Sequence, residues 1–169
     1  QGTRVLMLAA LALAVPLGLV LLALRTLDPP GSMLIWSQSL AGQPVRQQVV
    51  PLSAISPHLV RAVIASEDGQ FCTHRGIDFR ELDAAVEKAE RSGDDLVRGA
   101  STITMQVAKN LFLWPGRSYA RKGLEMGLAA AIELAWSKPR ILEVYLNIAE
   151  WGPGVFGAAI FSMILSFNE

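Results

Sequence analysis

Cysteine is almost absent from this chain of 169 residues. Cys72 is the only one, so no internal disulfide can form and no thiolate metal cluster can be assembled. Histidine is nearly as scarce: His58 and His74 are the only two, which excludes a His-rich metal site. Net charge is missing too, with 15 Lys and Arg against 15 Asp and Glu, so no global field argues for a nucleic-acid partner. Charged residues make up 18% of the chain, low for a soluble domain. Sustained period-two alternation is lacking after the apolar front, which excludes a predominantly β fold. Any catalysis must therefore run on carboxylates, hydroxyls and cations.

What the chain has in excess is hydrophobicity at its front. Val5 to Leu24 is a run of 20 residues without a charge, bracketed by Arg4 and Arg25. At about 1.5 Å per helical residue it spans about 30 Å, one bilayer core. Pro16 interrupts the run, but a membrane helix tolerates proline better than a soluble one does. Ala12-Leu13-Ala14 has the small-residue alternation of a signal-peptidase site, yet cleavage there would leave Val15 to Leu24 on the mature protein. Residues 1–25 are therefore read as an uncleaved anchor. One arginine on each side leaves its orientation undecided.

Behind the anchor, residues 26–50 read as a linker, because Asp28-Pro29-Pro30-Gly31-Ser32 breaks the helix sharply. Gln47 to Leu52 suits a short extended segment. Ser56-Pro57 is a helix start, with Val60, Val63 and Ile64 as its apolar stripe and Gly69 expected as a left-handed cap. A second helix over Phe79 to Arg91 turns Leu82, Ala85, Val86 and Ala89 inward, and Ser92 to Asp95 is a loop. Ser101 is expected to cap a third helix running to Phe112. Ser118 opens a long helix with Leu124, Leu128 and Ile132 on one side. Ser137-Lys138-Pro139 starts a last one carrying Ile141, Leu142, Tyr145 and Leu146, which Gly152-Pro153-Gly154 ends. The domain is mainly α.

Charge is segregated along this helical part. Arg98 to Lys122 holds five cations (Arg98, Lys109, Arg117, Arg121, Lys122) and no acid, whereas Ala65 to Asp95 holds nine acids and four bases. Such segregation suggests an anion site beside an acidic one, where a solvated face would interleave the signs. Ser101-Thr102 at a helix N-terminus offers an anion cradle of free N–H groups and hydroxyls. Gln106, Lys109 and Asn110 share a face at helical spacing, although such a face is more often simply solvated.

Glu67 is the candidate base. In the last turn of a helix, the macrodipole and the adjacent Asp68 both oppose its negative charge and favour proton uptake. Glu125 is the second candidate carboxylate, with Arg121 at i−4 and Lys122 at i−3 placed to pair with it, which suits positioning cations rather than accepting a proton. Paired carboxylates suggest glycosyl chemistry. Cys72 reads as a small buried hydrophobe, since no histidine is placed to activate it. His74 suits orienting Glu67 or capping the loop. Trp114, Trp136 and Trp151 read as packing residues, or as headgroup-level anchors if the domain lies against a membrane.

Four segments in order now carry a resemblance. Glu67-Asp68-Gly69-Gln70-Phe71-Cys72-Thr73-His74-Arg75-Gly76 resembles the first motif of the peptidoglycan glycosyltransferases, glycosyltransferase family 51. Gly99 to Asn110 resembles the second, Arg121-Lys122-Gly123-Leu124-Glu125 through Glu133 the third, and Tyr145-Leu146-Asn147 with Gly152, Gly154 and Gly157 the fourth. The resemblance covers residues 51–157 and implies a lysozyme-like helical domain that polymerises lipid II on the outer face of a bacterial inner membrane. Glu67 would deprotonate the acceptor 4-hydroxyl, which attacks the donor anomeric carbon with inversion, releasing undecaprenyl pyrophosphate and giving a β-1,4 linkage. Ser101, Gln106, Lys109, Asn110, Arg117 and Lys122 match positions that bind the donor pyrophosphate and neighbouring groups, and Glu125 matches the second essential carboxylate. The resemblance implies no required cofactor, although a divalent cation, Mg or Mn, assists the leaving pyrophosphate in some members. The partners it implies are lipid II, the growing strand, the membrane and other cell-wall synthesis and division proteins.

Two departures from the pattern stand out. Met105 occupies the place of the first glutamine in a Gln-Gln pair, while Gln106 keeps the second. Residues 158–169 do not resemble the family's continuation, so the domain is expected to be incomplete at its C-terminal end. Two further readings follow: a lysozyme-like hydrolase using the same carboxylates, and an inactive membrane-bound remnant. A hydrolase needs an acid at the leaving oxygen, whereas a pyrophosphate leaving group is served by cations, so the acid-free stretch favours transfer.

Overall fold

The structure, a computed structural model, describes residues 2–93, 99–116 and 118–159. Asp94, Asp95, Arg98, Arg117 and the tail from residue 160 on lie outside the described residues. The elements are α1 (Gly2–Leu24), α2 (Met33–Leu40), β1 (Arg46–Gln47), a 3-10 turn (Leu52–Ala54), α3 (Pro57–Glu67), α4 (Phe79–Ser92), α5 (Ile103–Phe112), α6 (Tyr119–Ala135), α7 (Lys138–Ile148), β2 (Glu150–Gly152) and β3 (Val155–Phe156). The fold is mainly α, as expected. Helix α1 is long and apolar enough to cross a membrane, with Pro16 inside it.

Short polar side chains punctuate the domain. Each helix from α2 to α7 begins behind Ser, Thr or Asp: Ser32, Ser56, Asp78, Thr102, Ser118 and Ser137. All but Ser137 accept a hydrogen bond from a backbone N–H of the first turn, satisfying donors that the helix cannot. Such a cap contributes about 1 kcal/mol. Pro57 and Pro139 stand in first turns, where no N–H is lost.

Helix α5 is the centre of the domain and packs on both α6 and α7. Ile103, Val107 and Ala108 of α5, Ala129 and Ile132 of α6, and Ile141, Leu146 and Ile148 of α7 are buried in one cluster. That cluster also takes in Leu21 of α1, with Leu17 and Leu24 packed beside it. The membrane-spanning candidate is thus fixed to the domain side by side over its last turns. Its Leu21 carbonyl accepts a hydrogen bond from Trp136 Nε1 at 2.7 Å.

Several expectations need correction. Residues 26–50 carry α2, which packs against α5, and strand β1, so this stretch is not a bare linker. Of the extended segment expected at Gln47 to Leu52, only Gln47 is in a strand. A three-stranded sheet exists, in the order β1-β3-β2, with β1 parallel and β2 antiparallel to β3. Strands of two or three residues cannot display an alternation, which is why the pattern missed them. Val86 and Leu124 are exposed: α4 buries only Ala89 fully, and α6 buries Glu125, Ala129 and Ile132 instead of Leu124. Cys72 is exposed, because its neighbour Phe71 fills the core position in that loop.

Candidate active site

Glu67 ends α3 and is exposed, and its Oε2 accepts a hydrogen bond from Gln106 Nε2 at 2.8 Å. The next residue turns the other way. Asp68 is buried, with extended φ of −163°, and ends the helix without a left-handed Gly69, contrary to expectation. Its Oδ2 accepts from the Ile103 N–H at 2.9 Å, and its Oδ1 takes a hydrogen bond from His74 Nε2 at 2.8 Å. His74 therefore orients Asp68, not Glu67. Two adjacent carboxylates face opposite environments, one available to a ligand and one committed to the fold.

That commitment corrects the anion cradle expected at Ser101-Thr102. The N-terminus of α5 does receive an anion, as its dipole favours, but the anion is the Asp68 side chain. Thr102, not Ser101, is the cap: its Oγ1 accepts from Met105 N at 3.1 Å and donates to Gly76 O at 2.6 Å. Ser101 lies one residue before, and its hydroxyl accepts from Lys122 Nζ at 2.7 Å. Gly99 at φ 85° and Ala100 at φ 54° lead into the cap, and Ala100 is the only non-glycine at positive φ among the described residues. The left-handed region costs a residue with a Cβ about 1–2 kcal/mol.

Glu125 is 2% exposed and held by two cations. Lys122 Nζ lies 3.3 Å from one of its oxygens and Arg121 Nη1 3.5 Å from the other. This is the pairing expected from the i−3 and i−4 spacing. Arg121 Nε is buried and has no partner among the described residues. Lys109, projecting from α5, has its pKa lowered from 10.5, chiefly by burial; the charges of Glu125 and Glu67 oppose that shift, and Arg121 and Lys122 add to it. One ammonium thus feels both carboxylates and both neighbouring cations, which draws the predicted residues into one electrostatic unit. The Tyr145 phenol is pushed up, first by burial and then by the Glu67 charge.

A cleft of about 280 Å³ opens at this place, lined by Ser66 to Gln70, Asp78, Glu81 and Ala100 to Thr102. The Transglycosylase family matches residues 35–163, which contain all of these groups. Biosynthetic peptidoglycan transglycosylases of Rhodospirillum centenum, Nitrobacter winogradskyi and Agrobacterium fabrum are 53%, 49% and 52% identical over 154, 154 and 128 residues. The matched stretches cover 89%, 91% and 76% of this chain. The chain belongs to the transglycosylase family. It spans about two thirds or less of the length of these relatives, 66%, 67% and 56% respectively.

The transglycosylase match begins at residue 35, inside the stretch expected as a linker, and continues past Gly157. Of the expected site residues, Glu67 is joined to Gln106, and Ser101, Lys122 and Glu125 are joined to one another; Lys109 is related to both carboxylates through its charge. Asn110 is buried, in the turn of α5 beyond Gln106; Arg117 is outside the described residues. Gly154 and Gly157 serve the sheet rather than the cleft: a Cβ on either would stand 2.2 Å from a backbone oxygen, of Pro44 or Gln48. Sequence reasoning missed the roles of Asp68, Thr102 and Tyr145, although all three stand inside the motifs. Their residue types do not separate a group facing a ligand from one facing a helix end.

Proposed function

We propose that this chain carries the catalytic cleft of a peptidoglycan glycosyltransferase, which polymerises lipid II into β-1,4-linked glycan with release of undecaprenyl pyrophosphate. The observation that carries this reading is one cleft lined by both Glu67, an exposed carboxylate held by Gln106, and Ser101, whose hydroxyl accepts from Lys122 of the cluster of Arg121, Lys122 and Glu125. Glu67 acts as the general base on the acceptor 4-hydroxyl, and Gln106 fixes its side chain while leaving the second oxygen to receive the proton. Lys109, Arg121 and Lys122 stabilise the charge that develops on the departing pyrophosphate. Glu125 holds two of these cations at the right place. Of the neighbouring carboxylates, Glu125 is engaged by cations, Asp68 by His74 and the α5 N-terminus, and Asp78 by the first turn of α4. What favours transfer over hydrolysis is the cation set, which suits a pyrophosphate leaving group.

Among the described residues no group of three or more His, Cys, Asp or Glu side chains could hold a metal ion. The reaction proposed here uses only side chains of this chain. In this reading α1 anchors the chain in a bacterial inner membrane with the domain on its outer side, next to lipid-linked substrate. The relatives' name, biosynthetic peptidoglycan transglycosylase, supports the same substrate class.

The test is a gel assay of labelled lipid II polymerisation. Glu67→Gln should reduce chain growth by about 10²–10⁴-fold, the contribution of a positioned base, with lipid II still bound. Unchanged chain growth in that variant would sink the assignment, and release of short muropeptides from preformed glycan would indicate hydrolysis instead.

A further inference from the structure

Helix α1 ends without a glycine cap, so carbonyls at its exit need partners from elsewhere. The domain supplies them from α7. Arg140 Nε donates to Leu24 O at 3.1 Å, and its Nη2 donates to Leu27 O. Its Nη1 reaches Asp28 Oδ1 at 3.0 Å and the Glu143 carboxylate. Glu143 in turn accepts from Leu52 N at 2.7 Å, tying the same corner to the chain that leads into α3. A cation at a helix C-terminus is also where the macrodipole favours it. The guanidinium side chain is only 10% exposed. With the Trp136 contact to Leu21, α1 and the domain meet through two directional attachments, one from the C-cap of α6 and one from α7.

Most of Arg140's bonds run to residues 24–28, at the exit of α1, while α7 itself is held by Ile141, Leu146 and Ile148. We infer that Arg140 is a positioning residue: it locks the catalytic domain at one height and tilt on its membrane anchor, matching the cleft to a pyrophosphate whose own lipid tail fixes its depth. This rests on the proposed function and on α1 as the anchor. A substrate held in the leaflet offers its reacting atoms at one level. A domain on a loose tether would sample many levels and lose most of the benefit of proximity. A lysine could reach one of the four acceptors but not fork across them.

The experiment uses the 169-residue chain in phospholipid nanodiscs, with two readouts. The first compares Arg140→Gln with the parent chain on a long-chain lipid II embedded in the disc and on a short-chain, water-soluble analogue. The expected kcat/KM loss is about ten- to a hundredfold on the embedded substrate and under about twofold on the soluble one, with Arg140→Lys rescuing only part. The second readout needs no activity. Spin labels on the native, exposed Cys72 and on Leu13→Cys, a lipid-facing position of α1, should give one narrow distance distribution that broadens in Arg140→Gln. Equal losses on both substrates, or an unchanged distance distribution, would overturn the inference. A parent chain that polymerises neither substrate would overturn the proposed function alone, and the distances would still decide the joint.

Discussion

At the scale of single residues, the site works by giving chemically identical groups different surroundings. Glu67 and Asp68 are neighbours, yet one meets an amide and open cleft while the other caps α5 and pairs with His74. Lys109 shows the same control over a cation. In the proposed function it must be charged to hold the pyrophosphate, and burial lowers its pKa below the ordinary 10.5, so it loses its proton at a lower pH than a surface lysine would. The alkaline limb of the kcat/KM profile, which reports the free enzyme, should therefore fall below 10.5. Lys109→Arg should move that limb upward, because a guanidinium keeps its proton; a limb that stays in place in the arginine variant would assign it to another group. Glu67, Glu125 and the cations were legible as residues because charge segregation and helical spacing both pointed to them. Which carboxylate faces inward was not legible, because that depends on the one extended backbone step at Asp68.

At the scale of elements, helices were the legible part. Ser, Thr or Asp stands before each helix of the domain, and proline in two first turns marks the same boundaries, so the starts of α3 to α7 could be read to within a residue or so. Helix α2 was not legible, because Ser32 stands at the end of a Pro-Pro-Gly break and its cap role is masked. At α5, Thr102 rather than Ser101 is the cap, since both residues can play that role and only Thr102 also reaches Gly76 O. The sheet was illegible for a different reason. Its strands are too short to alternate, and its register is set by two glycines whose value lies in close approach, not in any pattern. Gly157 has φ 93°, and a Cβ there would stand 2.2 Å from the Gln48 carbonyl oxygen, a backbone atom that cannot swing aside. Gly157→Ala should destabilise the fold by about 2–5 kcal/mol, combining left-handed strain with overpacking, and the unfolding midpoint would report it. An unchanged midpoint would mean that β3 can part from β1 at no cost.

At the scale of the whole molecule, α1 is a structural part of the domain as well as a candidate span. Leu21 is 5% exposed, inside the same core cluster as α5, α6 and α7. Removing residues 1–24 should therefore lower the midpoint of the detergent-purified protein by about 5 °C or more, beyond merely releasing it from the membrane. Equal midpoints with and without those residues would show that the packing is incidental. The apolar run made a span legible, but its docking was not, because a lipid-facing leucine and a core-facing one look alike in sequence. Arg140 and Tyr145 are five residues apart on α7, at most about 7.5 Å along its axis whatever the tilt. One reaches the exit of α1, and the other senses the Glu67 charge. That interval is comparable to one headgroup layer, about 5–8 Å. Under the proposed function, a polyprenyl carrier would deliver its sugar while its chain stays in the hydrocarbon. The cost of drawing it into water, about 0.8 kcal/mol per CH₂, would never enter the reaction coordinate.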